Sequence, residues 1–243
     1  MTRRRWIADT WTPLDQLPIS ASLTGDQANH LARVLRAQPG QIFDVVAGGF
    51  LHRAEVTRVS PEAVDFLLHE ELESDSAVPL HLLLAVFKFD HLEWGIEKAT
   101  ELGVASITPI LARRTEKHLA QASAKRVERW RRIAHEASQQ SRRTAVPHIA
   151  DPVPLKAALA AQSSPLRILL SETEQQNTLS AALQQAGDLD ELALAIGPEG
   201  GWTAEEMDLF LTHTWRPVTL GPRILRAETA AIAATAIVGT FFP

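Results

Sequence analysis

The sequence predicts an α/β protein: a larger C-terminal domain with a largely parallel sheet, preceded by a smaller domain that is mainly β. Three observations carry the prediction. Through residue 68, short strand-like runs are separated by turn residues such as Gly48-Gly49 and Ser60-Pro61. After Pro79, continuous apolar runs alternate with segments of helical spacing, the pattern of a parallel sheet covered by helices. Between them, residues 70–76 are acidic and polar and read as a linker, which places the two domains at 1–73 and 74–243. With 45 % hydrophobic and 22 % charged residues, the 243-residue chain has ordinary globular composition, which excludes a disordered tail or a collagen-like fibre.

In the first domain, Thr24-Gly25-Asp26-Gln27 has capping-box spacing, and Leu31, Val34 and Leu35 follow at helical intervals. A short helix is expected over 26–36, ended by Pro39-Gly40, with strands over 41–46, 50–59 and 63–68. In the second domain, 80–87 is apolar throughout, as in a strand buried on both faces. Asp90 should cap a helix that buries Leu92, Ile96 and Ala99 and stops at Gly103. A strand over 104–110 and a long helix over 123–141 follow. Further strands are expected over 166–171, 192–197 and 217–220. Helices are expected over 175–186, over 203–212 with Thr203 and Glu206 as its capping box, and over 227–238.

The formal charge of −5 conceals an asymmetry. Residues 113–143 hold ten basic and three acidic side chains, or +7, so the remainder holds fourteen basic and twenty-six acidic, or −12. Such an excess is either a polyanion footprint or the solvated face of an amphipathic helix. There is no cysteine, and the nine histidines lack zinc-ligand spacing, so no metal and no disulfide framework is expected. No GxSxG elbow is present. The longest nearly apolar run, 230–242, is too short to span a bilayer and is broken by Thr235, Gly239 and Thr240. Arg3, Arg4 and Arg5 are followed by Asp9 and Asp15, where a signal peptide requires an apolar stretch. A cytoplasmic protein without a membrane partner is expected.

Four of the twelve glycines fall between 197 and 221, at the carboxyl ends of two predicted strands. Ile196-Gly197-Pro198-Glu199-Gly200-Gly201-Trp202 runs into a capped helix. It is either a tight strand-to-helix turn or a loop whose backbone approaches a ligand closely. Leu220-Gly221-Pro222-Arg223-Ile224-Leu225-Arg226-Ala227-Glu228-Thr229 joins a strand to an alanine-rich helix, and Glu228 and Thr229 also suit a helical first turn. Two such loops on one sheet edge, where open α/β sheets bind ligands, are stronger evidence than either alone. The six tryptophans read as core and interface residues, with Trp202 open to a ligand role.

Taken in order, several segments resemble one family closely and over nearly the whole chain. They are Asn29-His30-Leu31-Ala32-Arg33-Val34-Leu35-Arg36, Glu97-Lys98-Ala99-Thr100-Glu101-Leu102-Gly103-Val104, Ile107-Thr108-Pro109, Glu128-Arg129-Trp130, Glu136-Ala137-Ser138-Gln139-Gln140 and the two glycine loops. The resemblance is to the RsmE family of 16S ribosomal RNA uridine-N3 methyltransferases, in the SPOUT superfamily. It implies an N-terminal PUA-like β-barrel and a C-terminal SPOUT sheet with a deep trefoil knot. It further implies S-adenosylmethionine (AdoMet) bound in the knot and a homodimer formed through that domain. The implied substrate is a specific uridine, uracil 1498 of 16S rRNA in the assembled small ribosomal subunit, methylated at N3.

By the same resemblance, cofactor contacts fall on Leu170, Ser171, Glu172, Ile196, Gly197, Pro198, Glu199, Gly200, Gly201, Leu220, Gly221, Ile224, Leu225, Arg226 and Thr229. Arg226 is the candidate to stabilise charge developing on uracil oxygens. Glu228 is a candidate proton acceptor or the orienter of an arginine. RNA contacts fall on Arg4, Arg5, Arg33, Arg36, Lys88, Lys98, Arg113, Arg114, Arg129, Arg132 and Arg143. An enzyme acting on another RNA site, and a non-catalytic assembly factor, account for less of the pattern. Lys88-Phe89-Asp90-His91 stands where the family commonly has Lys-Gly-Asp-Arg, and Arg142 stands where a small residue commonly precedes the arginine.

Overall fold

The computed structural model describes residues 5–13, 19–74 and 77–242. The chain divides into two compact units, Met1–Ser76 with Ser138–Ala145, and Ala77–Ala137 with Val146–Pro243.

The first unit contains β1 (Trp6–Ile7), β2 (Thr10–Trp11), β3 (Ser20–Thr24), α1 (Gly25–Asn29), β4 (Ile42–Ala47), β5 (Phe50–Val59) and β6 (Ala63–Leu72). The sheet order is β1-β4-β5-β6-β3-β2, antiparallel except where β1 meets β4. Alternate residues point inward, so Leu23, Val45, Ala54, Val56, Val64 and Phe66 form a core with Trp6 and Leu31.

Two expectations are corrected here. The helix over 26–36 is α1 followed by a π-helical turn, His30–Val34, that Arg36 ends at a positive φ of 53°. Thr24 makes no side-chain cap, because its N–H and Oγ1 both bond to Asp9 Oδ2, at 2.6 and 3.0 Å. The acidic segment is also not all linker. β6 continues to Leu72, which pairs with Leu51, and Glu70 meets Arg53 at 3.3 Å.

The second unit contains β7 (Val78–Ala85), α2 (Phe89–Glu101), β8 (Val104–Leu111), α3 (Lys117–Ser123), most of α4 (Val127–Gln140), β9 (His148–Ile149), β10 (Val153–Pro154) and α5 (Leu155–Ala161). It continues with β11 (Leu166–Leu170), α6 (Leu179–Ala186), β12 (Leu192–Ile196), α7 (Ala204–Thr212), β13 (Arg216–Val218) and α8 (Ala227–Gly239). All its strands are parallel, in the order β10-β8-β7-β12-β11-β13, with β9 also on β8. Both faces are covered, so every residue of β12 is buried. Leu82, Leu84 and Leu194 join one core, and Leu83, Ala193 and Ala195 join another with Phe210 and Trp215. Each fully buried leucine contributes roughly 2 kcal/mol.

Small residues let α8 lie close to α2: a Cβ on Gly95 would sit 3.9 Å from the Glu228 Cα. The long helix over 123–141 proves to be α3 and α4, joined by a 3-10 turn, Ala124–Arg126. Lys88, rather than Asp90, is the N-cap of α2, and Asp90 lies in its first turn. The helix over 175–186 starts only at Leu179, capped by Thr178 through Ala181 N–H. The capping box of α7 forms with both of its arms, Thr203 and Glu206. Among the described residues, no helix is long and apolar enough to cross a membrane.

Candidate functional site

β7, β12, β11 and β13 are neighbours and parallel, so the segments leaving their carboxyl ends open on one edge of the sheet. Together they line a cleft of about 1320 Å³. Of the expected cofactor residues, Leu170, Ser171, Glu172, Ile196, Gly197, Pro198, Glu199, Gly201, Leu220, Gly221, Ile224, Leu225 and Arg226 line it. Three of the expected cofactor and catalytic residues stand outside that lining. Gly200 offers its carbonyl to the Arg114 guanidinium, Thr229 is exposed on the first turn of α8, and Glu228 is buried.

The glycines of the first loop serve different ends. A Cβ on Gly197 would lie 3.1 Å from Trp202 Cε2, so this glycine makes room for the indole. Trp202 Nε1 donates to the Leu170 carbonyl at 3.1 Å, and its ring meets Phe210 edge-on at 4.7 Å. Trp202 is therefore a brace from the loop after β12 to the end of β11, in place of an open stacking platform. Gly201 adopts φ +70°, which side-chain-bearing residues rarely adopt, and its N–H closes the turn onto the Pro198 carbonyl at 2.8 Å.

Charge of both signs rings the cleft. Glu174 accepts the backbone N–H groups of Asn177 and Gln176, at 2.9 and 2.8 Å. These bonds hold its carboxyl down at about 2. Lys88 Nζ lies 4.0 Å from Glu199. His91 Nδ1 lies 3.7 Å from Glu199 Oε1 and 3.5 Å from Glu228 Oε1. His91 was not among the expected site residues; its sequence signals are its place in the first turn after the end of β7 and its standing where the family commonly has arginine. Phe89, the other departure there, packs against Trp130 at 6.1 Å and under the Arg126 guanidinium at 4.8 Å.

The expected RNA contacts are dispersed. Arg4 lies outside the described residues, and Arg5 donates to the Arg142 carbonyl. Arg33, Arg36, Arg113 and Arg132 are exposed. Lys98 is held by Glu101 and Glu97, both at 2.8 Å, which raises its pKa. Arg129 is held by Glu93 at 2.8 Å, and Arg114 lines the cleft while bonding the carbonyls of Gly200 and Trp202. Arg143 is half-buried, and burial lowers its pKa to about 10.

Residues 74–239 match the RNA methyltransferase domain family, and residues 23–68 match the RNA methyltransferase PUA domain family. The ribosomal RNA small subunit methyltransferase E of a Synechocystis strain is 34 % identical over 227 residues, covering 92 % of this chain and 74 % of that protein. The protein of the same description from Bacillus subtilis is 32 % identical over 241 residues, covering 96 % and 94 %. This chain belongs to the ribosomal RNA small subunit methyltransferase E family. The member of this family from Neisseria gonorrhoeae, solved bound to S-adenosyl methionine, has a TM-score of 0.82 at 27 % identity over 98 % of both chains. The RsmE resemblance and the fold class read from the sequence, a parallel α/β domain behind a PUA-like domain, are thereby borne out.

Proposed function

We propose that the protein transfers the methyl group of AdoMet to N3 of one uridine in 16S rRNA, uracil 1498, within the assembled small ribosomal subunit. The observation that carries the reading is the convergence of loops from four adjacent parallel strands on one cleft, in a chain of this family.

The lining fits the cofactor. Leu170, Ile196, Leu220 and Leu225 offer apolar wall for an adenine, and Glu172 and Glu199 offset the cationic sulfonium and ammonium groups. A cleft of about 1320 Å³ exceeds the roughly 300–1,000 Å³ of a single small-ligand site, which leaves space for a nucleobase. AdoMet supplies an activated methyl group on a good leaving group. Uracil N3 carries a proton and becomes nucleophilic only as that proton leaves, so the chain must manage the charge. Arg226, exposed and on the cleft lining, would hold the uracil oxygens as they become negative. Exposed Arg33, Arg36, Arg113 and Arg132 would contact phosphates, giving binding a steep salt dependence.

The reading includes a trefoil knot, a homodimer and a cytoplasmic setting. The course of the chain supports the first: from β13 at the sheet edge it turns through 219–226, and α8 returns to α2, β7 and β12. The other two are carried by the family resemblance.

Incubating the protein with labelled AdoMet and unmodified small subunits, then mapping the modified nucleotide by mass spectrometry, tests the proposal. A single N3-methyluridine at position 1498 is expected. Label at another nucleotide would redirect it to a different RNA site. Neither transfer nor AdoMet binding would leave a non-catalytic assembly factor.

A further inference from the structure

We propose that His91 is the catalytic residue that takes the N3 proton of the uridine, and that the buried Glu228 carboxylate is the positioning residue that sets its tautomer. The inference rests on the uridine-N3 reading above.

A general base must reach the proton it removes, and the Glu228 carboxyl is enclosed, its side chain 3 % exposed and outside the cleft lining. His91 stands between it and the cleft, on whose lining it lies with its side chain 34 % exposed. Its Nδ1 is buried, makes no hydrogen bond, and faces Glu228 from α8 at 3.5 Å and Glu199 from the loop after β12 at 3.7 Å. Two carboxylates on that side favour an N–H dipole over a lone pair facing them, so Nδ1 carries the hydrogen. Nε2 is then the ring nitrogen with a lone pair, on the edge left open to the cleft. Glu199 is shared with Lys88, the N-cap of α2, at 4.0 Å. Glu228 Oε2 is buried with no hydrogen-bond partner, and its only ion pair among the described residues is with His91. A buried carboxylate gains most from a partner that becomes cationic, which is what proton uptake at Nε2 produces.

The proton on uracil N3 passes to Nε2, and the electron pair it leaves on N3 forms the bond to the methyl carbon. The carbon–sulfur pair remains on sulfur, which departs as a neutral thioether, and the imidazolium later releases its proton to water.

The test compares wild type, His91→Gln and Glu228→Gln. It uses calorimetry with AdoMet, single-turnover transfer to unmodified small subunits across pH, and ¹⁵N-histidine NMR of the protein alone. Wild type is expected to show the Nδ1–H tautomer at His91 and a rate that falls as the imidazole gains a proton at low pH. H91Q should keep AdoMet affinity within about twofold, lose roughly 10²–10⁴-fold in transfer, and lose that acid limb. E228Q should mix the tautomers and lower transfer about tenfold, with AdoMet affinity kept. An Nε2–H tautomer in wild type, or H91Q with the wild-type rate and pH profile, overturns the proposal. Wild type that methylates an atom other than uridine N3 overturns the substrate reading and the base role with it. The NMR result separates that failure from a failure of His91 itself.

Discussion

The cleft and the basic stretch over 113–143 are both sets of residues that the sequence marks out, and folding treats them in opposite ways. Cleft residues run from Lys88 to Ala230 in the chain, yet neighbouring parallel strands deliver them to one edge. The basic residues are close in sequence and are then drawn apart by partners from elsewhere. Arg126 and Arg129 turn to Glu93 of α2, at 3.7 and 2.8 Å, and Arg131 turns to Asp151 as well as Glu128. A local surplus of +7 is therefore not a surface charge of +7, because two of the neutralising carboxylates lie outside the counted window. Topology gathers what spacing scatters, and tertiary pairing scatters what spacing gathers.

Substitutions can press on that contrast from its strongest point to its weakest. In the cleft, Arg226→Ala should cut methyl transfer roughly 10²–10³-fold while AdoMet affinity moves less than about threefold, by single-turnover assay and calorimetry. Equal losses in both would make Arg226 a cofactor residue. Gly197→Ala should displace the Trp202 indole and cost about 1–3 kcal/mol by thermal unfolding, with a several-fold loss of AdoMet affinity. A neutral result would mean that the brace adjusts freely.

On the basic stretch, effects should be smaller and should follow exposure. Arg132→Glu should weaken RNA binding and reduce the salt slope by about one unit, whereas Lys98→Ala, outside the stretch and with its ammonium already between Glu97 and Glu101, should leave both nearly unchanged. Equal effects would erase the distinction between paired and exposed cations. The mildest change is expected at Glu174. Its folded pKa of about 2 lies below the ordinary value, so its contribution is present above the unfolded pKa and is lost as pH falls towards 2. Glu174→Gln should remove that part of the acid dependence while leaving stability near neutral pH to other groups. An unchanged acid transition in chemical denaturation would count against the hydrogen-bonded turn.

Much of the fold was legible because its signals are local. The bounds of β5, Phe50–Val59, coincide with the predicted run, and Thr203 and Glu206 cap α7 as their spacing requires. Two-residue strands such as β1 and β2 carry no readable period, and they form only because β4 and β3 offer pairing edges. Thr24 illustrates a distant competitor: Asp9 takes the N–H that a capping box would have used and holds the hydroxyl that would have accepted. In the site, backbone-rich loops were visible through their glycines. The role of Trp202 and the contact between His91 and Glu228 were not, since each joins elements that only the sheet order brings together.

The indole hydrogen bond from Trp202 to Leu170 ties the loop after β12 to the last residue of the neighbouring strand β11 by a single N–H. That loop cannot open without breaking its tie to the strand end, so amide hydrogens in the loop and at the end of β11 should exchange with solvent as one cooperative unit, with a shared opening free energy. The floor of the cleft would then be ordered before any ligand arrives, and little of the binding energy would be consumed in arranging it.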